Sequence, residues 1–163
     1  MKSAKTLLST LSAAVLGIAM LCLATAPAQA ATATATFAVT ATVQATCSVS
    51  ATALAFGTYI PTAASANTAT VTVTCTNSTP YTLGLNAGLG TGATVTNRLM
   101  MNGAVLLGYG LFTDAAHTTN FATLASANGT GSAVVTTVYG QIPAGSYVTP
   151  GSYSDTITAT VTY

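Results

Sequence analysis

The chain has no tryptophan, one histidine, and almost no charge: three lysine or arginine and two aspartate or glutamate side chains in 163 residues. Lys2 and Lys5 stand at the very start, so beyond residue 30 the only charged side chains are Arg98, Asp114 and Asp155. A domain this poor in charge can neither neutralise a phosphate backbone nor hold itself on an anionic membrane, which excludes nucleic acid and lipid surfaces as electrostatic partners. Little charge also means little colloidal protection between copies, so the chain is expected to be escorted or built into an assembly. Asp114 and His117 lie three apart, but in a turn-like stretch without a nucleophile motif. With no other histidine and so few acids, neither a metal site nor a catalytic set is expected. No cofactor and no enzymatic activity are assigned. Helical spacing of apolar residues is also missing throughout.

What is present begins with an export signal. Lys2 and Lys5 precede an apolar stretch over residues 7–23, and Pro27-Ala28-Gln29-Ala30 ends in the small-x-small pattern of a signal-peptidase site. Residues 1–30 are therefore expected to be a cleaved signal peptide that carries Cys22 away, with no stable membrane insertion afterwards. The apolar stretch, interrupted by Ser9, Thr10 and Ser12, is short of the roughly 20 residues a membrane span needs.

Residues 31–46 then alternate: Ala33, Ala35, Phe37, Val39, Ala41, Val43 and Ala45 at odd positions, mostly threonine between them. Side chains on a strand point to opposite faces in turn, so this is a strand with one apolar face. It either opens a complete sandwich or is lent to another domain. Cys47 and Cys75 form an isolated pair in an exported chain and are expected to be a disulfide, both on inward phases at the edge of the core. Further strands are read over 49–56, 68–76, 81–87, 98–101, 104–112, 133–139 and 157–163. Asn102-Gly103 is read as the two-residue turn of a type I′ hairpin. Short strands, frequent turns and a linking disulfide predict one all-β domain, an immunoglobulin-like β-sandwich.

The ordered series Cys47, Phe56-Gly57-Thr58-Tyr59, Val71-Thr72-Val73-Thr74-Cys75, Tyr81-Thr82-Leu83-Gly84-Leu85, Arg98-Leu99-Met100, Leu111-Phe112-Thr113-Asp114, Val138-Tyr139-Gly140-Gln141-Ile142-Pro143 and Gly151-Ser152-Tyr153-Ser154-Asp155-Thr156 resembles the spore coat protein U domain family. That family includes the major pilins of archaic chaperone-usher pili. The chain departs from it at Gln141, where arginine is common, at Phe121, where tryptophan is common, and at Gly108 and Gly110. The resemblance implies an incomplete sandwich over residues 47–163 and a donor strand over residues 31–46. A periodic row of Phe37, Val39, Ala41 and Val43 would anchor that strand in a neighbouring copy. It also implies a periplasmic chaperone, an outer-membrane usher and a homopolymer displayed as a fimbrium outside the cell, supporting adhesion and biofilm formation. A coat protein of the same fold is the alternative. A secreted carbohydrate-binding sandwich is disfavoured by the missing tryptophan and the scarcity of acids.

Overall fold

The computed structural model describes residues 28–163, so residues 1–27 of the expected signal peptide over residues 1–30 lie outside the described residues. The chain divides into two units with the boundary after Thr40. The described part of the first, residues 28–40, carries no strand, and neither do residues 41–46 of the second. Among the described residues, the alternating segment over 31–46 carries no strand assignment.

The second unit is all-β: β1 (Cys47–Ala51), β2 (Ser65–Cys75), β3 (Pro80–Leu85), β4 (Arg98–Asn102), β5 (Val105–Phe112), β6 (Ala127–Asn128), β7 (Ala133–Ile142) and β8 (Ala159–Thr162). They form a five-stranded sheet ordered β1-β2-β7-β5-β4 and a three-stranded sheet ordered β6-β3-β8, an immunoglobulin-like arrangement. β2 and β7 form the longest ladder, running antiparallel from Ser65↔Ile142 to Thr74↔Ala133. On β2 the alternation of valine and threonine sends Val71, Val73 and Cys75 inward and leaves the threonines outside. Leu83 and Leu85 of β3, Leu107 and Leu111 of β5, Val138 and Ile142 of β7, and Phe121 complete one core between the sheets. Each fully buried aliphatic side chain contributes roughly 1.5–3 kcal/mol.

Three expectations need correction. The hairpin between β4 and β5 is present but displaced by one residue: Asn102 pairs with Val105, so Gly103 and Ala104 form the turn. Only Gly103 has a positive φ, 58°, which is the pattern with glycine first rather than the Asn-Gly type I′ turn. The strand read over 49–56 begins earlier, at Cys47, and ends at Ala51. Beyond it the chain is tied to β2 by side chains, Asn67 Nδ2 donating to the Ala55 carbonyl at 2.5 Å and Ser65 Oγ to the Phe56 carbonyl at 3.2 Å. The last strand starts at Ala159 rather than at Ile157, because the preceding segment first visits the other sheet. Met101 and Ser154 exchange two backbone hydrogen bonds of 2.8 and 3.1 Å before Leu85 pairs with Ala159. The C-terminal segment thus crosses from the edge of one sheet to the edge of the other.

Candidate functional site: an open groove between the sheets

Two segments without strand structure, residues 52–64 and, apart from the bridge at Ser154, residues 143–158, face the same cavity. It is a groove of about 1040 Å³ whose rims are residues 51–59 and 146–157. Its floor is apolar: Val71, Leu107, Leu111, Val138 and Ile142 come from the large sheet. β1 ends the large sheet and β8 ends the small one, so each has an edge that no strand among the described residues occupies. An unpaired edge offers a row of N–H and C=O groups, and the groove begins where β1 and β8 reach it, at Ala51 and Ala159, so that its apolar floor lies beside backbone an added strand could pair with.

The groove is held in shape at several points. Toward one end, the Tyr59 hydroxyl donates to the Pro143 carbonyl at 2.7 Å and accepts from the Ser146 N–H at 3.1 Å, fastening the two rims together. Leu54 and Phe56 lie over Gly140, where a Cβ would stand 2.6 Å from Leu54 Cδ1. Glycine at this place is a requirement of close approach. Phe56 also meets Tyr109 edge-on, with ring centroids 6.0 Å apart.

Asp155 anchors the second rim. One carboxylate oxygen accepts the Tyr109 hydroxyl at 2.7 Å, and the other accepts the N–H groups of Leu89 and Thr156, both at 2.7 Å. Burial, and then the bond to Asp155, pushes the Tyr109 phenol far above its usual range, so it remains a donor. Asp155 therefore accepts backbone hydrogen bonds and in addition ties the rim to β5. Arg98 is fully buried and donates to the carbonyls of Asn86, Val95, Leu85 and Phe121, at 3.0, 2.7, 3.4 and 2.8 Å. Its guanidinium pKa is lowered by that burial, which the nearby Tyr109 and Asp155 partly oppose.

Among the residues singled out from sequence, Cys47 and Cys75 are joined by a disulfide. Phe37, Val39 and Val43 are 87, 83 and 84% exposed, and Ala41 is exposed as well. Thr46, the last residue of the expected donor segment, is already fixed to Thr76 by two hydrogen bonds of 2.9 and 3.1 Å. Asp114 and His117 do not act on one another through their side chains. The Asp114 carboxylate takes the Thr118 and Thr119 N–H groups, which hold its pKa below the usual range. The His117 ring sits edge-on to Phe112 and 3.3 Å from the Gln141 amide.

The structural parts that sequence reading missed are Arg98 and the Tyr109–Asp155 pair. A signal for both was there. Arg98 is in phase with inward Met100, Tyr109 with Leu107 and Leu111, and Asp155 with Tyr153, Ile157 and Ala159.

Comparison with known proteins agrees with this architecture. No curated protein matches the chain. Among solved structures, it is similar to a chain in the crystal structure of the CsuC-CsuE chaperone-tip adhesion subunit pre-assembly complex from archaic chaperone-usher Csu pili of Acinetobacter baumannii. The TM-score is 0.53 at 22% identity, and the match covers 75% of this chain and 40% of that one. At that identity the likeness speaks for the fold. The family model of the Spore Coat Protein U domain matches residues 33–160, nearly all of the chain that follows the apolar start. A family model that covers this much of the chain shows its family: the chain belongs to the spore coat protein U domain family.

Proposed function

We propose that this protein is a structural subunit of a surface pilus, built through the chaperone-usher route by strand donation between copies. The observation that carries this reading is the pairing of opposites within one sequence: an open apolar groove with two unpaired edges, and an alternating segment that carries no strand. Residues 31–45 would enter the groove of a neighbouring copy, with Phe37, Val39, Ala41 and Val43 facing its floor. Main-chain bonds supply affinity and the side-chain period supplies register. Before that, a periplasmic chaperone would occupy the groove, and an outer-membrane usher would be the place of exchange. The chaperone–subunit complex among the similar structures supports the chaperone partner. The role is structural rather than enzymatic, and adhesion and biofilm formation follow by family analogy.

Substituting Phe37→Arg tests it. Forcing a charge into an apolar pocket is costly, while the mutant's own groove is untouched. The mutant should therefore still bind the chaperone but fail to form fibres as the sole subunit, seen by electron microscopy. Normal fibres would refute Phe37 as an anchor. The family name favours one other reading, a coat layer assembled by the same exchange. Surface layers without fibres in the producing cell would select it.

A further inference from the structure

The disulfide occupies a particular place in the chain. Cys47 is the residue by which the alternating segment joins the sandwich, and Cys47↔Cys75 is the first pair of the β1–β2 ladder. β1 is an edge strand of five residues that runs directly into residues 51–59, one rim of the groove. β2 is an interior strand of 11 residues, held by β1 on one side and by β7 on the other. If residues 31–45 are inserted into a neighbour, tension in the fibre reaches each domain at Thr46 and Cys47. Without a cross-link it would run along β1 into the rim that grips the next subunit's strand. With the cross-link it passes at Cys47 into Cys75 and so into β2.

On the strand-donation reading above, we infer that the Cys47–Cys75 bridge is a tension clamp: it diverts pull arriving from one joint into β2, so that the groove rim holding the other joint stays seated. A disulfide that only restricts the unfolded chain would serve wherever it closed a loop of this length. A clamp works only at the point where the force enters, before the rim, and that is where this bridge lies. The two hydrogen bonds of Thr46 to Thr76 lie outside it and would be the first to part.

The test uses assembled wild-type fibres, oxidised or reduced after assembly, with the thiols counted by mass tagging. Pulled singly, reduced fibres should break at their joints at lower force than oxidised ones, while the rate at which joints dissociate without load stays the same. Complete unfolding of a reduced subunit should release about 90 Å more chain, because the 28-residue separation between the cysteines is no longer bypassed. That added length marks subunits whose bridge was cut. Fibres of the Cys47→Ser/Cys75→Ser variant should behave as the reduced ones do. Equal rupture forces in the two states would overturn the inference. So would a loss of joints on reduction without load, which marks a plain stabilising cross-link. Failure of wild-type copies to capture one another's residues 31–45 would overturn the strand-donation reading itself.

Discussion

Arg98 lies in the core and uses its guanidinium on four backbone carbonyls from two connecting segments and a strand end. Removing it would leave those carbonyls buried and unpaired. Arg98→Met should cost about 3 kcal/mol, measured by urea unfolding of the chaperone-released or strand-complemented subunit. Arg98→Lys should recover only part of this, since one ammonium cannot reach carbonyls that a planar fork spans. Asp114 provides a pH-dependent counterpart at the surface. Its folded pKa lies below the unfolded value because the Thr118 and Thr119 N–H groups bind the charged form. The stabilisation is thus complete above the unfolded value of about 4 and is lost as pH falls through the lower folded value. Amide exchange at Thr118 and Thr119 should accelerate over that acid window, and Asp114→Asn should abolish the dependence. The burial phase of Arg98 was legible in its alternation with Met100. Its partners were not, since carbonyls that converge from distant loops leave no mark in the sequence.

At the scale of elements, strands with one apolar face were readable wherever both neighbours exist. β2 and β5 appear nearly as their alternation indicates, because their ladders are complete on both sides or nearly so. The largest overextension, at residues 52–56, borders the groove, whereas the ends of β2, β3 and β7 differ from their reading by up to three residues. Over residues 52–56 the pattern describes a strand, but beyond the Thr52 N–H bond to the Thr70 carbonyl the regular backbone ladder with β2 gives way to side-chain bonds, so periodicity overstates the element. The turn at Gly103 was shifted because Asn-Gly satisfies two turn types, and only the register tells them apart. Gly103 has open space around its missing Cβ, so its φ of 58° is the sole constraint. Gly103→Ala should therefore destabilise the hairpin by about 1–2 kcal/mol, with Gly103→Asn much milder, as read from thermal unfolding. Replacing both Cys47 and Cys75 by serine should cost roughly 3–4 kcal/mol in the same measurement and lower the yield of assembled subunit.

For the whole molecule, scarcity of charge and an unfinished sandwich belong together. Of the charged residues beyond position 30, Arg98 is turned inward and Asp155 is committed to the rim, leaving Asp114 on the surface. A surface so nearly neutral gives copies little electrostatic reason to stay apart. On the strand-donation reading, the open apolar groove would be completed by an added strand. The most direct measurement takes the chain from Ala45 onward, released from its chaperone, and follows its denaturation midpoint as a peptide of residues 33–44 is added. A real groove must gain stability by mass action, about 2.7 kcal/mol when the peptide reaches 100 times its dissociation constant. The account predicts that gain, and its loss when Val39 and Val43 of the peptide are replaced by aspartate. A midpoint unmoved by either peptide, with the full-length chain a stable monomer at high concentration, would contradict it.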